Sequence, residues 1–296
     1  MLSIKNKKKI IIGCAQFGSN YGISNFLRPN LKEQKKILDL ARRNNIGFID
    51  SSPSYGDAEK RLGNIGVKKF KVISKISKLS NKKLNSKNLK EIILKDVKKS
   101  LKNLNINKLH GLLLHNSSDL FNKRGIEIYR AMLEAKKQKL TKKIGISIYD
   151  PNMIKKILNN YNFDIIQAPF NVIDRRLLNK NILNNIKKKK IEIHIRSIFL
   201  QGLLLMKNEN IKNYFNKWKK LFLKWMNFLQ KNQIEAQNVC VNYAFSIKQF
   251  NKVIIGFNSH DELKQILNIK KKSLFLPKKI MSNSKLLIHP HLWKKK

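Results

Sequence analysis

Phe48-Ile49-Asp50-Ser51-Ser52-Pro53-Ser54-Tyr55-Gly56 runs from a short apolar stretch into a polar loop, and the pattern it sets recurs along the whole chain. Phe48 to Asp50 has strand character and ends in a carboxylate, and the Ser, Pro and Gly that follow are turn formers. Upstream, Lys9 to Ala15 (KIIIGCA) reads as a buried strand entering a glycine-containing loop, and Ile37, Leu38 and Ala41 mark one face of a helix. Downstream come a strand at Lys71–Lys75 and a helix whose apolar positions are Leu89, Ile92, Ile93, Val97, Leu101 and Leu104. A fourth strand, Leu109–His115, precedes a helix around Tyr129, Met132 and Leu133. Ile144–Ser147, Asp164–Gln167, Ile191–Phe199 and Lys252–Gly256 complete a set of eight. Strands alternating with helical stretches or long loops imply parallel βα units. Their number and even spacing predict an α/β (β/α)8 TIM barrel rather than a doubly wound open sheet.

The chain has 296 residues, 42% of them hydrophobic, enough for a sizeable core. No Pro/Gly/Ser-rich linker interrupts it, so one domain is expected over 1–296. The spacing predicts an extra amphipathic helix around 208–232, strongest from Ile211 to Leu229, with Tyr214, Phe215, Trp218, Leu221, Phe222 and Trp225 on one side and Lys on the other. Such a face packs onto a barrel more simply than it binds nucleic acid. From about 273 the tail reads as irregular, in reach of one barrel mouth. The apolar run Ile10–Ile12 is too short for a signal peptide or a membrane span, and no other stretch approaches one, so a cytoplasmic protein with no membrane partner is expected. The two cysteines, Cys14 and Cys240, lack a CxxC partner, which argues against a zinc site or a disulfide framework and for a reducing compartment. The net charge is +45. The excess is mostly Lys, spread over the chain, and Asn and Ile are abundant too, as AT-rich codon usage produces. Nucleic acid is therefore not the expected partner, and the Lys runs at 187–190 and 270–272 read as solvated helix ends; the field still favours anionic ligands.

In a (β/α)8 barrel the reacting groups stand at the C-terminal strand ends and in the loops after them. Strand two ends in Asp50 with Tyr55 in its loop, strand three ends in Lys75, and strand four ends in His115. Each alone has a bland explanation: a helix cap, surface packing, a solvated charge, a structural histidine. Together they are a carboxylate, a phenol, an ammonium and an imidazole at one mouth, which suits carbonyl reduction. A phenol with an ordinary pKa of about 10 is a poor acid at neutral pH, and a neighbouring ammonium lowers it. The carboxylate holds the ammonium, and the imidazole orients the carbonyl oxygen and shares in proton transfer.

The run Phe48 to Gly63, with Asp50 and Tyr55 five apart followed by Gly56, Glu59 and Leu62-Gly63, resembles the aldo/keto reductase signature. The ordered set Asp50, Tyr55, Lys75 and His115 matches that family's catalytic tetrad, and the similarity runs from Gly13-Cys14-Ala15-Gln16-Phe17-Gly18 to the closing His289-Pro290-His291-Leu292-Trp293. The opening segment is similar to a bacterial branch associated with surface-polysaccharide genes. The resemblance implies an NADP or NAD cofactor and a small-molecule carbonyl substrate. Ser147 and Gln167 would hold the nicotinamide carboxamide, and Arg196 would stack where many members have tyrosine. Ser197, Phe199, Gln201 and Gly202 would follow the pyrophosphate, and the Gly256–Ser259 segment would approach the adenosine. Phe17 and Tyr21 are expected to line the substrate pocket. Five positions depart from the family. Ile148 stands where Asn is common. Gly256, Phe257 and Glu262 replace the Lys, Ser and Arg of NADP-preferring members, and a glutamate there repels a 2′-phosphate. The adenine-side asparagine falls on Ile266. A sugar oxidation or epimerisation with bound cofactor fits the same residues, and a redox-silent barrel acting as a basic binding module is the reading from another class.

Overall fold

The computed structural model describes residues 1–23, 27–77, 79, 88–273 and 275–293. Eight strands, β1 Ile10–Gly13, β2 Phe48–Asp50, β3 Lys71–Ile76, β4 Leu109–Leu114, β5 Thr141–Ser147, β6 Ile165–Pro169, β7 Glu192–Arg196 and β8 Lys252–Gly256, pair in sequence order, all parallel. The sheet closes where β8 returns to β1, with Ile10 opposite Val253 and Gly13 opposite Gly256. This is the (β/α)8 TIM barrel expected from the alternation. Inside it, Ile11, Ile73, Leu113, Ile165 and Ile254 form a separate apolar cluster, so the barrel is filled and its polar residues are displaced to the two ends. The opposite strand faces build the main core against the surrounding helices.

The longer helices are α1 Leu31–Arg43, α2 Ala58–Ile65, α3 Leu89–Leu104, α4 Gly125–Lys137, α5 Ile154–Asn160, α6 Lys180–Lys188, α7 Lys219–Lys231, α8 Ala236–Ser246 and α9 His260–Asn268. Their bounds follow local chemistry. The Asn30 side chain accepts the Glu33 N–H at the start of α1, and Asn105 ends α3 in the left-handed conformation at φ 52°.

Two stretches differ from the sequence expectation. The strand expected over Ile191–Phe199 stops at Arg196, because Ser197, Leu200, Gln201 and Gly202 have φ of 63°, 49°, 56° and 94° and turn the chain back over the barrel mouth. The stretch expected as one helix around 208–232 is 3-10 over Asn213–Trp218 and α-helical only from Lys219 to Lys231. Its apolar face is buried as amphipathic logic requires: Phe215, Phe222 and Trp225 join a second cluster with Leu200, Leu203 and Leu204, and the Trp225 indole N–H donates to the Leu204 carbonyl at 3.1 Å. Helix α8 escaped periodicity because it is buried on several sides, through Val239, Cys240, Val241, Ala244 and Phe245.

The tail is only partly irregular. It carries 3-10 turns at Lys278–Ile280 and Pro290–Leu292 and a short helix at Lys285–Ile288. The Arg175 guanidinium fastens its beginning by donating to the carbonyls of Leu276 and Pro277. Its end meets the barrel mouth, where the Arg176 guanidinium donates to the His289 imidazole at 3.1 Å and the His291 ring lies 4.4 Å from that of Tyr149. Among the described residues no helix is long and apolar enough to cross a membrane.

Candidate active site

Asp50, Lys75 and His115 end β2, β3 and β4 on one side of the barrel, and the β2 loop brings Tyr55 over them. Asp50 and Lys75 are almost wholly buried. A buried ion pair is tolerable only when its remaining hydrogen-bonding capacity is used, and here it is. The Lys75 ammonium donates to Asp50 Oδ1 at 2.5 Å and to the Ser51 carbonyl at 2.9 Å, while the Gln167 amide donates to Asp50 Oδ2 at 2.7 Å. The ammonium lies 4.9 Å from the centre of the Tyr55 ring, and the His115 ring meets Tyr55 edge-on at 5.8 Å.

Close backbone approach fixes the Tyr55 loop. A Cβ on Gly18 would lie 1.6 Å from the Tyr55 carbonyl oxygen, and one on Gly56, already at φ 58°, would lie 2.3 Å from the Gly18 carbonyl oxygen. Only glycine at both positions lets these segments touch.

The electrostatics keep both proton-bearing groups neutral. Desolvation, and after it the Asp50 carboxylate, pushes the Tyr55 phenol well above its ordinary value. Burial and the Asp50 charge thus outweigh the lowering expected from Lys75 in the resting site. Desolvation, with Lys75 and Arg196 adding to it, lowers the His115 imidazole to about 3.

The site opens on a cavity of about 1000 Å³. Asp50, Tyr55 and His115 line it, with Lys75 just beneath. Ser147, Gln167 and Arg196 line it too, as do Ser197, Phe199, Gln201 and Gly202 in the turn after β7 and Gly256 at the end of β8. Arg196 is fixed by stacking on Tyr149 at 4.7 Å and by donating to the Ile148 carbonyl at 3.0 Å. Phe257 and Asn258 just before α9, and Glu262 and Ile266 within it, line the cavity as well. There the backbone N–H groups are already engaged: Asn258 donates to the Glu262 carboxylate at 2.7 Å, His260 to Glu33 at 2.7 Å, and Glu262 to Ser259 Oγ at 3.2 Å.

Two expected site residues stand elsewhere. Phe17 is fully buried in the main core, where its carbonyl accepts a hydrogen bond from Gln34, and it contributes no cavity surface. Ser259 caps α9 instead of lining the cavity. Tyr21 does line it, its hydroxyl accepting from the Gln201 amide at 3.3 Å. Sequence reasoning missed Tyr149, His291 and Glu33. Tyr149 follows the end of β5 and the strand-end rule reaches it; Glu33 meets His260 across 227 positions of chain, and no local signal announces that. Among the described residues no group of three or more His, Cys, Asp or Glu could hold a metal ion.

A holo-form aldo-keto reductase from Bacillus halodurans superposes with a TM-score of 0.69 at 20% identity, over 90% of this chain and 88% of that one. The glycerol dehydrogenase of Gluconobacter oxydans does so with a TM-score of 0.67 at 17% identity, over 90% and 88%. At such identities these likenesses speak to fold. No curated protein matches the sequence. The sequence profile of the aldo/keto reductase family, in contrast, matches residues 9–282, nearly the whole length. The chain belongs to the aldo/keto reductase family of oxidoreductases.

Proposed function

We propose that this protein reduces a sugar-derived aldehyde or ketone to the alcohol, with Tyr55 as proton donor and NADH as the preferred reductant. The observation that carries the chemistry is the phenol held neutral 4.9 Å above a buried, fully paired ammonium. The residues along the cavity fit a nicotinamide dinucleotide: the turn after β7 offers a cradle of left-handed residues, and Ser147 and Gln167 line the same cavity as Tyr55. Bound there, the dihydronicotinamide supplies a hydride to the carbonyl carbon. His115, neutral at any working pH, hydrogen-bonds the carbonyl oxygen. Tyr55 gives its proton to the oxygen as negative charge develops, and the Lys75 ammonium stabilises the phenolate left behind. That stabilisation is needed only as the proton leaves, which is where it accelerates the reaction.

The preference for NADH rests on the α9 end of the cavity. A 2′-phosphate would need free N–H donors or cations. The Asn258 and His260 N–H groups instead serve the Glu262 and Glu33 carboxylates, and Asp261 adds a third negative charge to the first turn. A ribose hydroxyl suits such carboxylates, whereas a phosphate is repelled. The sugar assignment is supported by the similarity of residues 13–25 to the polysaccharide-associated branch and by the aromatic and polar wall made by Tyr21, Tyr149, Arg196 and His291. The test is Tyr55→Phe assayed with NADH and a panel of aldoses and keto-sugars. Turnover should drop at least a thousandfold while cofactor affinity stays within about twofold; turnover equal to wild type would overturn the assignment.

A further inference from the structure

The β2 loop holds a buried hydroxyl that the chemistry described so far does not use. Ser52 is fully buried, and its Oγ lies 3.2 Å from Nδ1 of His115. The same oxygen accepts the Ser54 N–H at 3.1 Å. That contact fills an acceptor site and leaves the O–H as the group still needing a partner. Among the described residues the acceptor within reach is His115 Nδ1. A buried hydroxyl proton without an acceptor is costly, and so is a buried ring nitrogen without a partner. Both costs vanish only if Ser52 donates and Nδ1 accepts.

We infer that Ser52 is a positioning residue that fixes His115 as the Nε2–H tautomer, so that the imidazole offers the cavity a hydrogen-bond donor. The environment removes the alternative of a charged ring carrying both protons: burial, Lys75 and Arg196 all oppose protonation. Two neutral tautomers remain, and they differ in what they present at Nε2. With the proton on Nε2, the ring donates to a carbonyl oxygen. With the proton on Nδ1, it turns a lone pair toward that oxygen and repels it. A single hydroxyl hydrogen bond thus decides whether His115 assists or opposes carbonyl binding. The loop geometry keeps the hydroxyl in place, because the Ser52 carbonyl accepts the Tyr55 N–H at 3.0 Å, making the proton donor and the tautomer lock parts of one turn. The catalytic consequence rests on the reductase reading above, but the tautomer itself does not.

The test is nitrogen-15 NMR of the full-length protein labelled at histidine, without cofactor or substrate. His115→Asn assigns the signal among the six histidines. The wild type should show His115 protonated at Nε2 and unprotonated at Nδ1 from pH 6 to 9. Ser52→Ala should shift both nitrogens toward the averaged values of mixed tautomers, and Ser52→Thr, which keeps the hydroxyl, should restore the wild-type pattern. In steady-state assays Ser52→Ala should lower kcat about tenfold, with KM for NADH unchanged and Ser52→Thr recovering most of the loss. A wild-type His115 protonated at Nδ1 would overturn the inference, as would an unaltered tautomer in Ser52→Ala. The wild-type spectrum decides even if Ser52→Ala does not fold, and it decides whether or not reductase activity is found.

Discussion

At the residue scale the site is governed by where charge is compensated. Asp50, Lys75 and Gln167 form a closed set of short hydrogen bonds beneath Tyr55, and burial, with Asp50 adding to it, keeps the resting phenol neutral. Removing the ammonium exposes both of its roles at once. Lys75→Met should lower the rate of reduction by two to three orders of magnitude, since the phenolate then forms without compensation. It should also destabilise the fold by about 3–5 kcal/mol, because the Asp50 carboxylate is left buried and unpaired. Single-turnover kinetics and denaturant melts on the same preparation check both; an unchanged rate would remove Lys75 from the chemistry. Asp50, Tyr55, Lys75 and His115 were legible in the sequence because each stands at the C-terminal end of an apolar strand or in the loop after it, where barrel geometry gathers polar groups. The Gln167 bond to Asp50, and Ser52 beside His115, were not, since both depend on side-chain distances across strands. Phe17 was misassigned for the converse reason: it lies beside the first strand, but the short helix Ala15–Gly18 turns its ring into the core.

At the scale of elements, the site is held by contacts between loops as much as by strands. The Ala15–Gly18 helix and the Tyr55 turn meet through Gly18 and Gly56 without room for a methyl group. Gly18→Ala should therefore displace the Tyr55 turn and cost at least tenfold in kcat, while NADH binding, which we propose rests on the β5–β8 side of the cavity, changes by less than threefold. Stopped-flow assays with direct NADH titration separate the two; an equal loss of both would place the effect in global unfolding. The barrel strands were legible from their apolar runs, and helix faces from apolar spacing. Ser197 to Leu200 is apolar enough to read as more strand; of the four left-handed residues in the turn after β7, Ser197, Leu200 and Gln201 are types that seldom announce such a conformation, and only Gly202 does. Helix α8 went unread because a helix buried on several sides has no polar stripe.

At the scale of the whole molecule, charge and titration act in the same direction. With a net charge of +45, self-repulsion destabilises the compact state and salt relieves it. The fold holds His110 and His289 at about 4, His115 at about 3, and His194 below its ordinary value, all through burial. Below pH 6.5 the unfolded chain takes up protons that these rings refuse, so stability is lost as pH falls from 6.5 toward 4. Glu192, lowered to about 2 chiefly by its hydrogen bond to His194, adds stability above its unfolded value of 4.5 that is lost toward pH 2. Denaturant midpoints should therefore fall as pH drops from 6.5 to 4 and rise with added salt; a midpoint insensitive to pH over that range would contradict the burial of the histidines. The same charge draws any dinucleotide to the surface nonspecifically, so the decisive measurement must be made against that background. NADH and NADPH are titrated separately into the protein, with nicotinamide fluorescence read at physiological and at raised salt. The account predicts saturable one-to-one binding of NADH that persists at high salt, and weaker, salt-sensitive binding of NADPH. Absence of saturable binding of either cofactor at high salt would contradict the reductase reading, and tighter salt-tolerant binding of NADPH would contradict the role given to Glu33 and Glu262.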